Sequence, residues 1–168
     1  MSAKSGLKLR KESTAATLLE MCSVRVEHTL FGIPIKHILE IVGSTRPKPV
    51  PLAPQFVGGL IHYRGDVLTT VSLRQLLGLH SHGQEDHQAQ DSLQDILVLE
   101  SAGGCFGLLV DSVGEVLTVS SADHEPNPSI LDERRGALFA GAYKLKEGLL
   151  VMLDPERLDP MRLGAAAA

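Results

Sequence analysis

Hydrophobic and polar positions alternate along this chain in short segments that are separated by turn signals. Residues 18–27 alternate with one apolar face, and residues 29–35 form a second β-rich run after a short polar step. Alternation with a period of two residues is typical of a half-buried strand, so the two segments predict a β-hairpin. Pro34 has no backbone N–H to donate, and it therefore predicts the end of the second strand.

A second hairpin is predicted around Arg64-Gly65-Asp66. Residues 59–63 and 67–71 on either side are apolar or β-branched. The glycine between them can adopt a positive φ at little cost, as a tight hairpin turn requires. Ser72 then predicts the N-cap of a short helix that ends at Gly78.

The chain contains the same plan twice. Residues 31–42 return as residues 106–117, with phenylalanine, glycine and glutamate at matching positions and one aliphatic residue exchanged for another elsewhere. Residues 56–59 likewise align with residues 139–142 if one residue is deleted after the second glycine. A repeat of this length is too long for a solenoid unit and has the size of a small β-module. We therefore expect two similar modules that face each other across a pseudo-twofold axis, with a seam that offers a binding site.

The second copy predicts the same elements as the first. Hairpin turns are predicted at residues 102–104 and at Glu147-Gly148, and Asp154 predicts the N-cap of a helix over residues 155–158. Strands this short and regular favour small barrels over an open sheet. The predicted fold is all-β, with two pseudo-symmetric barrels packed together and short accessory helices.

The predicted organisation is a single domain over residues 18–160 between a flexible leader and a frayed C-terminal tail. A polar segment rich in His and Gln predicts a flexible loop between the two repeats. The leader, first repeat, loop, second repeat and tail cover about residues 1–17, 18–79, 80–92, 93–160 and 161–168.

The amino-acid composition argues against several classes of function. The net charge of −4 and the scarcity of aromatic residues argue against nucleic-acid binding, which needs a basic face with aromatic platforms. No apolar run reaches the length of a signal peptide or a membrane span, so we expect a cytoplasmic protein without membrane insertion. Cys22 and Cys105 lack a CxxC partner, and we interpret both as small buried hydrophobic residues in a reducing cytosol.

The sequence offers no catalytic or metal-binding signature. It lacks the Gly-x-Ser-x-Gly elbow, the phosphate-binding loop and the His-Glu-x-x-His motif, so we do not expect an enzyme. His80, His82 and His87 match no structural zinc spacing and are interpreted as part of a solvated loop. No metal and no cofactor are expected.

Arg64 and Glu40 can each be interpreted either as ordinary surface residues or as contacts for a partner. Arg64, at the predicted hairpin turn, is either an exposed arginine with a local ion pair or a contact for a partner. Glu40 recurs as Glu115 inside an otherwise aliphatic stretch. It is either a solvent-facing strand position or a polar anchor at the rim of the seam.

Taken together, these residues resemble the CheW family, the chemotaxis coupling proteins. The resemblance covers about residues 18–160. It rests on Phe31-Gly32-Ile33-Pro34-Ile35, Ile38-x-Glu40-Ile41, Phe56-Val57-Gly58-Gly59, Arg64-Gly65, the run from Phe106 to Leu117, Gly141 to Leu145 and Leu149 to Asp154. The family fold is two five-stranded Src-homology-3-like barrels around a shared hydrophobic region, in agreement with the internal repeat.

The resemblance implies a non-catalytic adaptor. Such proteins join the cytoplasmic hairpin tip of a methyl-accepting chemoreceptor to the regulatory domain of a CheA-type histidine kinase. The family binds the receptor in the groove between the barrels, and the kinase docks on the end of the first barrel. By position, the resemblance implies receptor or kinase contacts at Ile33, Ile35, Ile38, Glu40, Gly59, Arg64, Gly65 and Val113. Weaker candidates for the kinase face are Val50, Leu52 and Ala53, in the proline-rich connection.

One departure concerns the identity of the partner. The family commonly has Asn-Leu before the conserved Arg-Gly, and this chain has His62-Tyr63. Two other interpretations compete with the coupling adaptor: a structural ring component of the array without receptor contact, and a small-barrel module that binds a ligand or RNA. We expect a monomer when the protein is free, because the two barrels already pair within one chain.

Overall fold

The protein is represented by a computed structural model that describes residues 15–79, 93–127 and 136–167. The predicted loop over residues 80–92 and most of the predicted leader lie outside the described residues. The strands are β1 (Leu18–Val26), β2 (Thr29–Pro34), β3 (Ile38–Thr45), β4 (Val57–Tyr63), β5 (Asp66–Ser72), β6 (Gln94–Ser101), β7 (Gly104–Val110), β8 (Ser112–Ser120), β9 (His124–Glu125), β10 (Phe139–Leu145) and β11 (Gly148–Leu153). Short helices include α1 (Leu73–Leu76), α2 (Pro155–Leu158) and α3 (Pro160–Ala167).

The strands form two sheets that define two barrels. Barrel 1 has the order β3-β6-β7-β5-β4, and barrel 2 has the order β8-β1-β2-β11-β10-β9. The two-residue strand β9 corresponds to the isolated bridge between Lys48 and Leu60 in barrel 1. The prediction of an all-β fold with two pseudo-symmetric barrels is therefore confirmed.

Each barrel takes strands from both repeats. The hairpin β1–β2 of the first repeat pairs with β8 and β11 of the second, and the hairpin β6–β7 of the second repeat pairs with β3 and β5 of the first. The junctions β2–β11 and β5–β7 are parallel, whereas the other strand pairs are antiparallel. A sequence repeat therefore does not correspond to one barrel. The first hairpin of each repeat pairs with the later strands of the other repeat, and together they form one barrel.

The strand register corrects the alignment of the two repeats. The hairpin β4–β5 closes on the pair Tyr63–Asp66, and the hairpin β10–β11 closes on the pair Leu145–Gly148. Counting back from these closing pairs makes Gly59 the equivalent of Gly141, and both glycines have a positive φ. The alignment of Gly58 with Gly141 is therefore wrong by one residue, and no deletion is needed.

Three hydrophobic clusters hold the fold together. The largest lies between the barrels and contains the equivalent residues Phe31 and Phe106. A smaller cluster fills barrel 2 around Met21 and Leu150, and another fills barrel 1 around Ile96. Burial of apolar surface at about 25 cal/mol per Å² makes these clusters the main source of stability.

The predicted turns and caps of both repeats are confirmed, except that the turn predicted at Glu147-Gly148 lies one residue earlier, at Lys146-Glu147. Arg64 and Gly65 have φ values of 49° and 84°, as expected for a tight hairpin turn with two left-handed residues. The side chain of Ser72 accepts a hydrogen bond from the backbone N–H of Gln75, and that of Asp154 accepts one from Glu156. These contacts satisfy helix N–H groups that otherwise lack a partner.

We call β1–β2 and β6–β7 the exchanged hairpins, because each pairs with strands of the other repeat. A short helix contacts the turn of each exchanged hairpin. Arg74 of α1 donates to Oε1 of Glu27 at 2.7 Å and to Oδ2 of Asp111 at 2.6 Å, and the backbone N–H of Glu27 donates to the same Asp111 oxygen at 2.8 Å. Burial alone would lower the pKa of Arg74, but its bonds to Asp111 and Glu27 outweigh burial and raise it. At the equivalent turn, Glu156 accepts a hydrogen bond from the backbone N–H of Ala102 at 2.8 Å.

The C-terminal segment differs from the prediction of a frayed tail, because Pro160–Ala167 form α3. Asp159 accepts a hydrogen bond from the backbone N–H of Met161 at 2.8 Å, and Leu163 packs against the cluster between the barrels. A cap and an apolar contact stabilise an alanine-rich segment that would otherwise be marginal as a helix.

The cysteines divide between interior and surface. Cys22 is buried, which raises the pKa of its thiol. Cys105 is exposed, so its interpretation as a buried residue is wrong. It is the second residue of β7 and follows the hairpin turn, where the chain has not yet entered the core.

Candidate partner-binding site on barrel 1

Glu40 and Arg64 meet where the two outer strands of barrel 1 approach each other. Glu40 lies on β3, and Arg64 lies in the turn between β4 and β5. Nη2 of Arg64 is 3.7 Å from Oε2 of Glu40. The side chains are 75% and 45% exposed, so the ion pair contributes little to stability and is free to exchange partners.

Tyr63 joins this pair through its ring and its hydroxyl group. The guanidinium carbon of Arg64 lies 5.2 Å from the centre of the Tyr63 ring, within the range of a cation–π contact. Burial and a hydrogen bond to Glu40 raise the pKa of Tyr63. The phenol is therefore neutral at physiological pH and donates to the Glu40 carboxylate. We call Glu40, Tyr63 and Arg64 the rim cluster.

Gly59, within β4, allows the chain at Lys48 to pack closely against barrel 1. It is buried with a φ of 124°, and a Cβ at this position would lie 2.5 Å from the carbonyl oxygen of Lys48. Lys48 and Leu60 exchange two backbone hydrogen bonds of 2.8 Å beside it. The absence of a side chain therefore lets the proline-rich connection close the barrel. Gly65 belongs to the hairpin turn and is exposed.

The four aliphatic candidates border one cluster but differ in exposure. Ile33 is fully buried in the cluster between the barrels and offers no surface to a partner. Ile35, Ile38 and Val113 are half-buried and pack against the same cluster from its edge. Ile38 is the first residue of β3 and Val113 is the second residue of β8, and they occupy equivalent positions in the two repeats. They place aliphatic surface from both repeats at the seam.

The proline-rich connection presents a turn with an exposed apolar tip. The backbone N–H of Ala53 donates to the carbonyl of Val50 at 3.4 Å across Pro51 and Leu52. Leu52 has a φ of 62° and is fully exposed. Pro at the first central position and a positive φ at the second are typical of a type II turn, which favours Gly or Asn where this chain has Leu. Leucine in this conformation costs about 1–2 kcal/mol.

The structure thus brings some candidates together and separates others. Glu40 and Arg64 contact each other, and Ile38 precedes Glu40 by two residues on the same strand. The turn over residues 50–53 forms a second surface, connected to Gly59 through the bridge at Lys48. Across residues 15–79, 93–127 and 136–167, no group of His, Cys, Asp and Glu side chains is arranged to hold a metal ion.

Comparison with known proteins identifies the architecture. The family model described as CheW-like domain matches residues 20–160 of the chain. The chain belongs to the CheW-like family. Its barrels, seam and rim cluster therefore belong to a CheW-like domain.

Named CheW proteins resemble the chain over most of its length. It is 28% identical over 149 residues to the chemotaxis protein CheW of Rhizobium meliloti (strain 1021), which covers 88% of this chain and 92% of the relative. It is 22% identical over 139 residues to the chemotaxis protein CheW of Treponema pallidum (strain Nichols), covering 83% and 81%. The crystal structure of the scaffolding protein TtCheW from Thermoanaerobacter tengcongensis superimposes with a TM-score of 0.69 at 24% identity, covering 82% of this chain and 90% of that one. The last likeness shows the shared fold.

Two features of this CheW-like chain were not recognised in the sequence. Tyr63 was noted only as a departure from the family pattern, and the structure places its ring on Arg64. Arg74 belongs to no motif in the sequence, although its ion pairs with Glu27 and Asp111 hold the exchanged hairpin β1–β2 against α1. The Arg74 contacts join residues that are distant in the chain, and the contact between the neighbours Tyr63 and Arg64 depends on the conformation of the turn, so no local motif marks either one. Among the described helices of this CheW-like domain, none is long and apolar enough to span a membrane.

Proposed function

We propose that this protein is a non-catalytic adaptor that couples the cytoplasmic tip of a chemoreceptor to the regulatory domain of a CheA-type histidine kinase. The observation that carries the proposal is the position of the rim cluster next to half-buried aliphatic residues at the seam. Ile38 lies at the edge of the apolar cluster, and Glu40, two residues further on, pairs with Arg64. The relatives named as chemotaxis proteins support a scaffold or adaptor role in chemotaxis.

An apolar edge with charges at its rim suits a helical partner. A helix laid against Ile35, Ile38 and Val113 would bury its own aliphatic face there. Glu40 and Arg64 would fix its register through polar contacts at the rim. We assign this surface to the receptor tip.

The kinase regulatory domain is assigned to the turn over residues 50–53 at the end of barrel 1. The proline residues and the backbone bonds of Lys48 hold this turn in one conformation, so little conformational entropy is lost on binding. Two partners held on one rigid barrel are coupled when the state of one changes how firmly the other is bound. Moderate affinities suffice in an array, because neighbouring sites raise the effective concentration.

The substitution Arg64→Glu tests the proposal. It places a second carboxylate beside Glu40, so we expect at least a tenfold loss of affinity for a receptor-tip fragment while the thermal midpoint stays within about 2 °C of wild type. Affinities are measured by calorimetric titration against the receptor fragment and the kinase regulatory domain. Lys144→Glu is the matched control, because Lys144 forms a similarly exposed pair with Glu125 on barrel 2.

Each outcome of this titration has a definite meaning. Wild-type binding to both partners, weakened by Arg64→Glu and not by Lys144→Glu, supports the coupling adaptor. Binding to the kinase domain alone, with no effect of Arg64→Glu, would identify a ring component without receptor contact. Absence of binding to both would overturn the proposal.

The substitution Leu52→Asn tests the kinase surface by separating stability from binding. Asparagine tolerates the left-handed conformation, so we expect the free energy of unfolding to rise by about 0.5–1 kcal/mol. The exposed apolar tip is lost, so we expect the affinity for the kinase regulatory domain to fall about fivefold or more. Leu149→Asn is the control, since Leu149 is an exposed strand residue of barrel 2. Equal affinity of wild type and Leu52→Asn would remove this turn from the kinase face.

A further inference from the structure

Barrel 2 carries a surface cavity that none of the contacts discussed above uses. Its volume is about 300 Å³, which is at the small end of the range for ligand pockets. The walls come from β1, β2 and β8 and combine aliphatic, hydroxyl and charged side chains. The lining residues are Ser23, Arg25, Leu30, Ser112, Gly114, Glu115 and Leu117.

The internal repeat relates this cavity to a place on barrel 1. The repeated segments make Glu115 the equivalent of Glu40 and Leu30 the equivalent of Cys105. On barrel 1 this place is occupied. The Arg64 guanidinium lies 5.2 Å from the Tyr63 ring and 3.7 Å from the Glu40 carboxylate, and burial and a hydrogen bond to Glu40 raise the pKa of Tyr63. The tyrosine therefore lies beside the acid that corresponds to Glu115.

The difference between the barrels follows from one side chain. The position of Tyr63, which closes the hairpin β4–β5, is held in barrel 2 by Leu145, which closes the hairpin β10–β11. Leu145 packs into the cluster inside barrel 2 together with Leu30 and Leu117. It has no ring to extend over Glu115, and the place that a tyrosine fills on barrel 1 stays open on barrel 2.

The charges at this cavity are not satisfied within the described chain. Considering residues 15–79, 93–127 and 136–167 alone, the Glu115 carboxylate and the Arg25 guanidinium take part in no hydrogen bond and no ion pair. Glu115 contributes only its backbone carbonyl, which accepts from the Ser23 hydroxyl at 2.6 Å. On barrel 1 the corresponding acid is paired with Arg64 and Tyr63. An acceptor, a cation and two aliphatic walls therefore face the same open cavity.

We infer that this cavity is a binding site for a tyrosine side chain of a partner protein. Leu30 and Leu117 contact the faces of the ring, and Glu115 accepts the hydrogen bond of the phenol. Arg25 lies over the ring edge or face, as Arg64 does with Tyr63 at 5.2 Å on barrel 1. The partner thus supplies in trans the residue that barrel 1 carries in its own chain. This site lies on the other barrel and does not depend on the proposed coupling function.

A titration of the full chain with N-acetyl-tyrosine amide tests the inference. Amide chemical shifts of the ¹⁵N-labelled protein are followed with increasing probe, and saturable changes are expected at Leu30, Gly114 and Glu115. A single side chain binds weakly, so saturation is expected in the millimolar range. The same titration with N-acetyl-phenylalanine amide is expected to give at least threefold weaker binding, because the phenol bond to Glu115 is missing.

Two substitutions identify the site. Glu115→Gln is expected to weaken binding of the tyrosine probe at least threefold, whereas Glu40→Gln, the matched change on barrel 1, is expected to leave it unchanged. The inference is overturned by shifts that do not saturate, by shifts that map to barrel 1, or by equal binding to wild type and Glu115→Gln.

A second measurement needs no free ligand. Leu145→Tyr places a ring at the position that Tyr63 holds on barrel 1. The introduced ring is expected to show nuclear Overhauser contacts to Leu30 and to abolish the response to the probe. If the variant folds, as judged by its amide spectrum, and still binds the probe like wild type, the assignment of the cavity is wrong. If it does not fold, the comparison between Glu115→Gln and Glu40→Gln decides.

Discussion

Replacement of Gly59 by valine is expected to lower the free energy of unfolding by about 3–5 kcal/mol. A Cβ at this position would lie 2.5 Å from the carbonyl oxygen of Lys48, and the φ of 124° is strained for any residue except glycine. The two backbone bonds between Lys48 and Leu60 would break, and the proline-rich connection would separate from β4. Urea unfolding followed by circular dichroism measures the effect.

Two other glycines provide the controls for this prediction. Gly43→Ala should change stability by less than about 0.5 kcal/mol, because its Cβ would meet only an oxygen of Asp95 at 3.8 Å. Gly141→Val in barrel 2 should be as damaging as Gly59→Val, because its φ is 104° and its Cβ would lie 2.7 Å from the Glu125 carbonyl. A Gly59→Val protein as stable as wild type would show that the bridge does not close barrel 1. Loss of partner binding in this variant is thus expected to reflect a deformed barrel.

Replacement of Arg74 by methionine is expected to lower the free energy of unfolding by about 2–3 kcal/mol. The aliphatic stem is kept, but Glu27 and Asp111 lose the guanidinium that bridges them at 2.7 and 2.6 Å. Arg74→Lys should recover less than half of the loss, because an ammonium group does not present the planar fork that contacts both carboxylates. Denaturant titration at two salt concentrations measures both variants.

Arg64→Met is the matched control for this measurement. Its ion pair is longer, at 3.7 Å, and lies on the surface, so a change below about 0.5 kcal/mol is expected. Equal losses for Arg74→Met and Arg64→Met would contradict the role of Arg74 as the fastening of the exchanged hairpin.

Local features of this fold could be predicted from the sequence because their causes are local. The hairpin turn at Arg64-Gly65 requires positive φ values that a glycine allows, and the caps at Ser72 and Asp154 need only a side-chain oxygen next to the first helical turn. The helix α3 was missed for the opposite reason. Its stability depends on Asp159 and on the contact of Leu163 with a distant cluster.

The exchange of hairpins between the barrels could not be predicted from the repeat. Both repeats have the same alternation of apolar and polar residues, so the pattern does not distinguish β2 pairing within its own repeat from β2 pairing with β11. The one-residue error in aligning the repeats has a related cause. Phe56 and Phe139 look equivalent in the sequence, but counting back from the closing pairs of the two hairpins makes Val57 the equivalent of Phe139.

The candidate site could be predicted in part. The repeated glutamate and the arginine of the hairpin turn pointed to Glu40 and Arg64, which the structure brings into contact. Their roles in binding stay predictions until the titrations are done. Ile33 and Ile38 come from neighbouring stretches of sequence, but Ile33 lies within β2 and is completely buried, whereas Ile38 begins β3 at the edge of the cluster.

The exchanged hairpins also determine when the protein becomes foldable during synthesis. The first repeat leaves the ribosome with both outer edges of β1–β2 unpaired, because β8 and β11 have not yet been made. Barrel 1 must likewise wait for β6 and β7. Neither half of the gene therefore encodes an independent folding unit, and two polypeptides cut between residues 79 and 93 would acquire structure only in each other's presence. A gene duplication that gave rise to the repeat would have begun with a homodimer in which two copies exchanged the same hairpin.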